Sequence, residues 1–299
     1  MSGLLFLALL DGLVYGSLLF LVAVGLTMVY GVLRILNIAH GSFYALGAYV
    51  GVVLGLFVTQ TLGNPWLSYP ALLLAAVLVG GVLGPLVERF VLRWAYARPE
   101  VLQLLITFSL FLILEDVQKL VFGVQPYFLD APFQLLGSAE LGGVPYARYQ
   151  LVLVLVALGV LLGLRFLLRG TPLGKILVAV VADREMAQAL GVNAGRVYLL
   201  AFSLGVGLAA LGGALASPTV TIAPGLGAEV IVLSFAVVAV GGLGQIEGAA
   251  IGALLIGLGR SLAVYLVPEL DVVVPYLVMV LVLLVRPVGL LGTVEVRRI

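Results

Sequence analysis

GTPLGKILVAVVADREMAQALGVNAGR, Gly170 to Arg196, is the longest run in this 299-residue chain that reads as neither an apolar span nor a simple turn. Long apolar runs flank it, and it carries Lys175, Arg184 and Arg196, with Arg165 and Arg169 just ahead of it. Chains that cross a bilayer concentrate Lys and Arg in their cytoplasmic loops, so this stretch is assigned to the cytoplasm. Within it, Val180 to Leu190 includes the helix formers Glu185, Met186, Ala187, Gln188, Ala189 and Leu190, and Gly191 follows where a C-terminal cap belongs. Asp183 lies near the start, where a carboxylate suits the helix dipole. The reading predicts one short helix lying outside the bilayer. Ala182, Ala187, Ala189 and Gly191 are small enough to let another backbone approach, and Val181, Met186 and Leu190 make an apolar strip. That is a knob suited to a groove on another protein; a solvated connector whose alanines merely favour helix is the alternative.

Composition sets the frame outside the loop. The chain is 63% hydrophobic and 10% charged, with a mean hydropathy of +1.28, well outside soluble globular domains and typical of an integral membrane protein. Leu, Val, Ala and Gly dominate, which favours helical spans over the short alternating segments of a barrel. A net charge of +1 with no basic patch gives no reason to expect nucleic acid as a partner. There is no Cys and a single His, so disulfides and thiolate sites are excluded and a zinc site has too few ligands. No Lys or Arg precedes Arg34, so the first apolar run lacks the basic region of a signal peptide and is expected to remain as a span.

The apolar runs divide the chain into an all-α, polytopic bundle of eight or nine spans, read as one permease-like domain over residues 1–299 with the loop 170–196 projecting from it. The runs are Gly3 to Leu33, Ile38 to Gln60, Pro70 to Leu92, Val101 to Phe122, Tyr149 to Leu168, the stretch from Arg196 to Ala216, Ala228 to Val240, Ala249 to Leu266 and Val272 to Val285. Placing the Lys/Arg clusters inside gives an outside N-terminus and a cytoplasmic C-terminus bearing Arg297 and Arg298. Lys119 and Arg148 are exceptions, each near an outer end. The count falls to eight if the short run before Gly241 is re-entrant. Gly12 and Gly16, Gly47, Gly51 and Gly55, and Gly244, Gly248 and Gly252 repeat every fourth residue, a spacing that packs transmembrane helices closely.

Few residues offer chemistry. Gly170, Gly174 and Lys175 imitate part of a phosphate-binding loop, but the gap between the glycines is short and Ile176 stands where Ser or Thr is needed. His40 has no second His and no Ser or Cys companion; it reads as a packing residue beside Asn37, which is placed to cap the second span, with proton transfer as the alternative. Charges inside apolar runs are costly without a partner or water. Arg260, Glu229, Glu115 and Asp116 are therefore candidate gate or structural charges, with Arg260 expected either to pair with one of these acids or to snorkel to the interface. Asp11 is expected at the outer surface.

Four separated segments resemble one family. Glu185, Met186, Ala187 and Gly191 resemble the Glu-Ala-Ala-x-x-x-Gly loop of ABC importer permeases, with Met in place of the first Ala. TMVYGVLRILNIAHGSFYALGAYVG at Thr27 to Gly51, VGGLGQIEGAAIG at Val240 to Gly252 and VRPVGLLG at Val285 to Gly292 resemble the permeases of branched-chain amino-acid ABC importers, in the same order along the chain. That resemblance implies a prokaryotic inner-membrane subunit that pairs with a second homologous permease, each permease docking one of two ATP-binding cassette subunits, and that receives solute from an extracytoplasmic solute-binding protein. ATP and Mg would sit on the partner subunits, and this chain would bind no cofactor. It implies further that Ala182, Asp183, Arg184, Glu185, Met186, Ala187, Leu190 and Gly191 form the ATPase-docking coupling helix. Asn37, His40 and Gly41 belong to a family signature without an assigned role. Relatives of that family move urea or short amides. A secondary transporter working alone would need acids or His at mid-depth, whereas here they cluster at span ends.

Overall fold

The computed structural model describes residues 2–292. The first apolar run forms α1, Ser2–Leu33, whose 32 residues rise roughly 48 Å at 1.5 Å each, more than the hydrocarbon core requires. Then come α2, His40–Leu56, extended by a π-helical turn Phe57–Thr61, and α3, a continuous helical stretch Pro65–Ala95 with π segments at Val79–Leu83 and Glu88–Leu92. Next is α4, Glu100–Phe122. The polar connection after it is more ordered than a loop: α5, Ala131–Leu135, precedes a hairpin of β1, Ser138–Leu141, and β2, Val144–Ala147. These strands pair antiparallel with Ser138 opposite Ala147, turning at Gly142 and Gly143, both at positive φ.

The second half comprises α6, Arg148–Gly170; α7, Pro172–Ala182; α8, Arg184–Ala189; α9, Ala194–Ala216; α10, Leu226–Gly241; α11, Ile246–Leu266; and α12, Val274–Val285. Among the described residues, α1, α2 with its π turn, α3, α6, α9 and α11 are the six helices long and apolar enough to cross a membrane by length and composition. Each of the nine expected runs falls on a helix, although α10 and α12 are short. The bundle is all-α apart from the hairpin. Arg297 and Arg298 lie outside the described residues.

Burial separates a centre from a rim. In the apolar windows of α1, α2 and α9, 50%, 67% and 61% of residues are buried, against 17% for α6. Without a hydrophobic drive between helices in lipid, the centre depends on close packing, and glycines provide it. A Cβ at Gly12 would come 2.9 Å from Leu258 Cα, and one at Gly16 would come 2.9 Å from the Ala253 carbonyl oxygen. On α2, Gly47 and Gly51 face Ala210 and Ala214 of α9.

One pattern occurs twice. A long central helix ends, a non-helical stretch follows, and the next helix starts deep in the bundle: α1, residues 34–39, α2; and α9, residues 217–225, α10. Gly25 of α1 abuts Gly205 of α9 while Val22 abuts Gly212, so the two long helices run antiparallel. The starts of α2 and α10 meet where Gly41 packs on Gly227. Each copy therefore enters from the opposite side, the arrangement that places binding sites at mid-depth in many transporters.

Candidate functional site

The first break starts at Arg34, whose φ of 58° is the only positive value at a non-glycine residue among those described. This left-handed residue ends α1 and reverses the chain. Residues 35–39 then run back inward, with Ile35, Asn37 and Ala39 buried and Thr107 of α4 donating a hydrogen bond to the Leu36 carbonyl at 3.2 Å. His40 opens α2 with its Nε2 3.0 Å from the Val22 carbonyl of α1, so the start of α2 lies level with the middle of α1. The expected side-chain cap by Asn37 is absent: Ala39 holds the cap position without a side-chain bond, and Asn37 serves only through its carbonyl, which accepts from His40 N–H at 3.2 Å. The buried Asn37 amide has no protein hydrogen-bond partner, and neither do Thr27 Oγ1 and His40 Nδ1. Buried polar groups are seldom left so.

Beside the meeting point of α2 and α10 lies a cavity of about 510 Å³, a size typical of small-molecule sites. Its aliphatic wall includes Leu18, Leu19 and Val22 of α1 and Val230 and Leu233 of α10; Tyr15, Tyr44, Tyr276, Glu229, Arg260 and Asp271 supply its polar groups. The Arg260 guanidinium sits over the Tyr15 ring at 4.3 Å and 3.5 Å from the Asp271 carboxylate. That corrects the expected pairing: its acid is Asp271, because the short turn after α11 folds back over the end of that helix. Glu115 and Asp116 instead face Lys119 one turn away, at 3.7 and 3.2 Å, which gives that exceptional cation its partners. Glu229 makes no ion pair among the described residues. Asp11 is half-buried, accepting from Tyr146 at 2.7 Å and Tyr265 at 2.6 Å, and so clasps the hairpin and α11 to α1. Asp271 and Tyr15 were not singled out from sequence; an acid eleven residues after an intramembrane Arg was the available signal.

On the side bearing the basic loop, the single expected helix over Val180 to Leu190 is two. Residues 180–182 finish α7, and Asp183 breaks the helix with extended backbone while its side chain caps α8 by accepting from Met186 N–H at 2.9 Å. The capping preference of Asp outweighs the helix propensity around it. Gly191 follows α8 at φ 86°, the left-handed position a C-terminal cap uses. On α8 only Ala187 is buried, whereas Met186 and Leu190 are 58% and 79% exposed. A chain of contacts runs inward from this point. Arg184 stands over the Tyr198 ring at 5.3 Å, Tyr198 meets Tyr96 edge-on at 5.2 Å, and Tyr96 donates to the buried Glu88 at 3.1 Å. Burial, then the adjacent Glu88 carboxylate, pushes the Tyr96 phenol above its usual range, so it stays a donor. Arg169 pairs with Glu247 at 2.9 Å, tying the start of the loop to α11. Glu88 is not among the candidate charges read from sequence.

Comparison with known proteins agrees with this architecture. The family model described as branched-chain amino acid transport system / permease component matches residues 8–283. The chain is 30% identical over 295 residues to the high-affinity branched-chain amino acid transport system permease protein LivH of Escherichia coli, covering 97% of this chain and 96% of that protein. It is 29% identical to BraD of Pseudomonas aeruginosa, covering 97% of each, and 31% identical to a probable LivH of Methanocaldococcus jannaschii, covering 94% of this chain and 90% of that one. No solved structure matches. A multi-pass helical bundle matched along nearly its whole length by these permeases belongs to the branched-chain amino-acid transport permease family.

Proposed function

We propose that this chain is the permease subunit of an ATP-driven, binding-protein-dependent importer of branched-chain amino acids in a prokaryotic inner membrane. Its likeness over 97% of its length to permeases of high-affinity branched-chain systems carries this reading. The whole chain acts as one permease unit beside a second homologous permease, with its N-terminus outside and its C-terminus in the cytoplasm. Of the two ATPase subunits in the assembly, one docks on α8 of this chain and the other on the second permease, and they supply ATP and Mg; the permease itself hydrolyses nothing and holds no cofactor. Exposed Met186 and Leu190, flanked by Glu185 and Gly191, offer the ATPase an apolar tip with a small neighbour. Closure of the ATPase pair then presses on α8, and the Arg184, Tyr198, Tyr96 and Glu88 contacts pass the movement to α3. Its π segments, where the helical ladder is already out of step, are suitable places for it to bend. Access alternates as a bistable bundle rearranges around the cavity.

The test is uptake of radiolabelled L-leucine into proteoliposomes holding this chain, its partner permease, both ATPases and the binding protein, with and without Glu185→Lys and Gly191→Trp. Uptake should require ATP and binding protein and fall more than tenfold in either variant, while both variants still insert. Uptake by this chain alone, driven by an ion gradient and indifferent to the loop changes, would overturn the proposal in favour of a secondary transporter.

A further inference from the structure

The cavity between α1, α10 and α11 carries opposed charges beside an aliphatic wall. Glu229 and Arg260 line it from consecutive helices, α10 and α11. An intramembrane charge is retained at a cost and marks a site. Arg260 is held, not spent: stacked on Tyr15 at 4.3 Å and 3.5 Å from Asp271, it is fixed in direction, and a guanidinium has five N–H donors to share. Glu229, which makes no ion pair among the described residues, is the carboxylate left for a cation. The same cavity is lined by Leu18, Leu19, Val22, Val230 and Leu233.

We propose that this cavity is the transit site for the solute and that it recognises an α-amino acid zwitterion, with Arg260 taking the carboxylate, Glu229 the ammonium group and the α1 and α10 aliphatic wall the side chain. The assignment rests on the proposed transport function and locates its substrate within the chain. Neutral urea or an amide would leave the Glu229 carboxylate unanswered and the spare Arg260 donors without an anion, which such a site disfavours. The site also explains why the two breaks meet here. The start of α10 at Leu226 borders the cavity, and a helix start contributes N–H groups without adding bulk. The anchor charges come from helices of the same half of the chain, while α1 supplies the facing wall.

The chain contains no Cys, so Val230→Cys introduces a single reporter in the cavity, with Leu73→Cys in the separate apolar cleft between α3 and α9 as control. In the reconstituted transporter, millimolar L-leucine should slow maleimide labelling at position 230 at least fivefold and leave position 73 unchanged. Leucinamide, which lacks the carboxylate, and N-acetyl-leucine, which lacks the ammonium, should not protect. Adding Arg260→Gln or Glu229→Gln should abolish protection by leucine. Labelling indifferent to leucine in a preparation that still takes up leucine with ATP overturns the site while the transport reading stands. Equal protection by leucine, leucinamide and N-acetyl-leucine overturns the charge assignment without relying on the folding of any charge variant. Absence of both uptake and protection overturns the two readings together.

Discussion

The two breaks that bring helix starts into the middle of the bundle are built by different means. Residues 34–39 are pinned inside: a left-handed Arg34 turns the chain, Thr107 holds Leu36, and His40 is bonded to the Val22 carbonyl. Residues 217–225 are open by comparison. They are tied to the connection between α4 and α5 through the paired backbone bonds of Tyr127 and Ile222, at 2.9 and 3.1 Å, and Val220 lines the cavity with 41% of its surface exposed. The first break is therefore a closed floor and the second part of the wall of an accessible chamber. Their difference gives an otherwise similar pair of folds a direction, with the empty volume on one side.

The largest expected effect comes from driving the two helix starts apart. A Cβ at Gly41 would come within 2.8 Å of Ile231 Cβ and nearer still to the Gly227 carbonyl, so Gly41→Val forces backbone to move. More than nine-tenths of leucine uptake and of the monodisperse detergent-solubilised protein should be lost. Gly159→Val on the rim helix α6, where a Cβ meets nothing within 4 Å, should change either by less than twofold. If both variants behave alike, the centre does not depend on glycine contact.

Asn37→Leu separates stability from transport. Its amide is buried without a protein partner, and removing such a group is commonly neutral or stabilising. The thermal midpoint should hold or rise while uptake falls about tenfold; a midpoint lowered with uptake intact would make the floor a purely structural device. The smallest effect is expected at the pins. Thr107→Val removes the bond to Leu36, a loss of about 1 kcal/mol, and Gly225→Ala strains a residue at φ 95° by roughly 1 kcal/mol. The first should slow uptake through the floor and the second through the chamber wall. Equal stability losses with unequal effects on leucine protection at position 230 would sharpen the comparison, and equal effects on both would remove it.

Local sequence carried a good deal of this. Composition alone excluded a soluble fold, the nine apolar runs found their helices, and the fourfold glycine spacing pointed to the contacts made by Gly12, Gly16, Gly47 and Gly51, since lipid leaves close packing as the main adhesive. Loop chemistry was legible where it is local: Gly191 takes the left-handed cap, and Asp183 serves a helix start, though its strength as a breaker was underestimated. The family, too, was readable from four segments in order. Long-range partners were not. Hydropathy reports which residues avoid water and is blind to depth, so it could not reveal that residues 34–39 turn back to the level of Val22 or that α2 and α10 begin face to face. The partner of Arg260 was missed for the same reason: Asp271 reaches it only because the turn after α11 folds over that helix. Sequence by itself determined a membrane bundle, its helices and its kinship, all consequences of composition and spacing. The tertiary structure alone decided where charge, cavity and helix starts coincide, because those depend on distances between residues that the chain keeps far apart.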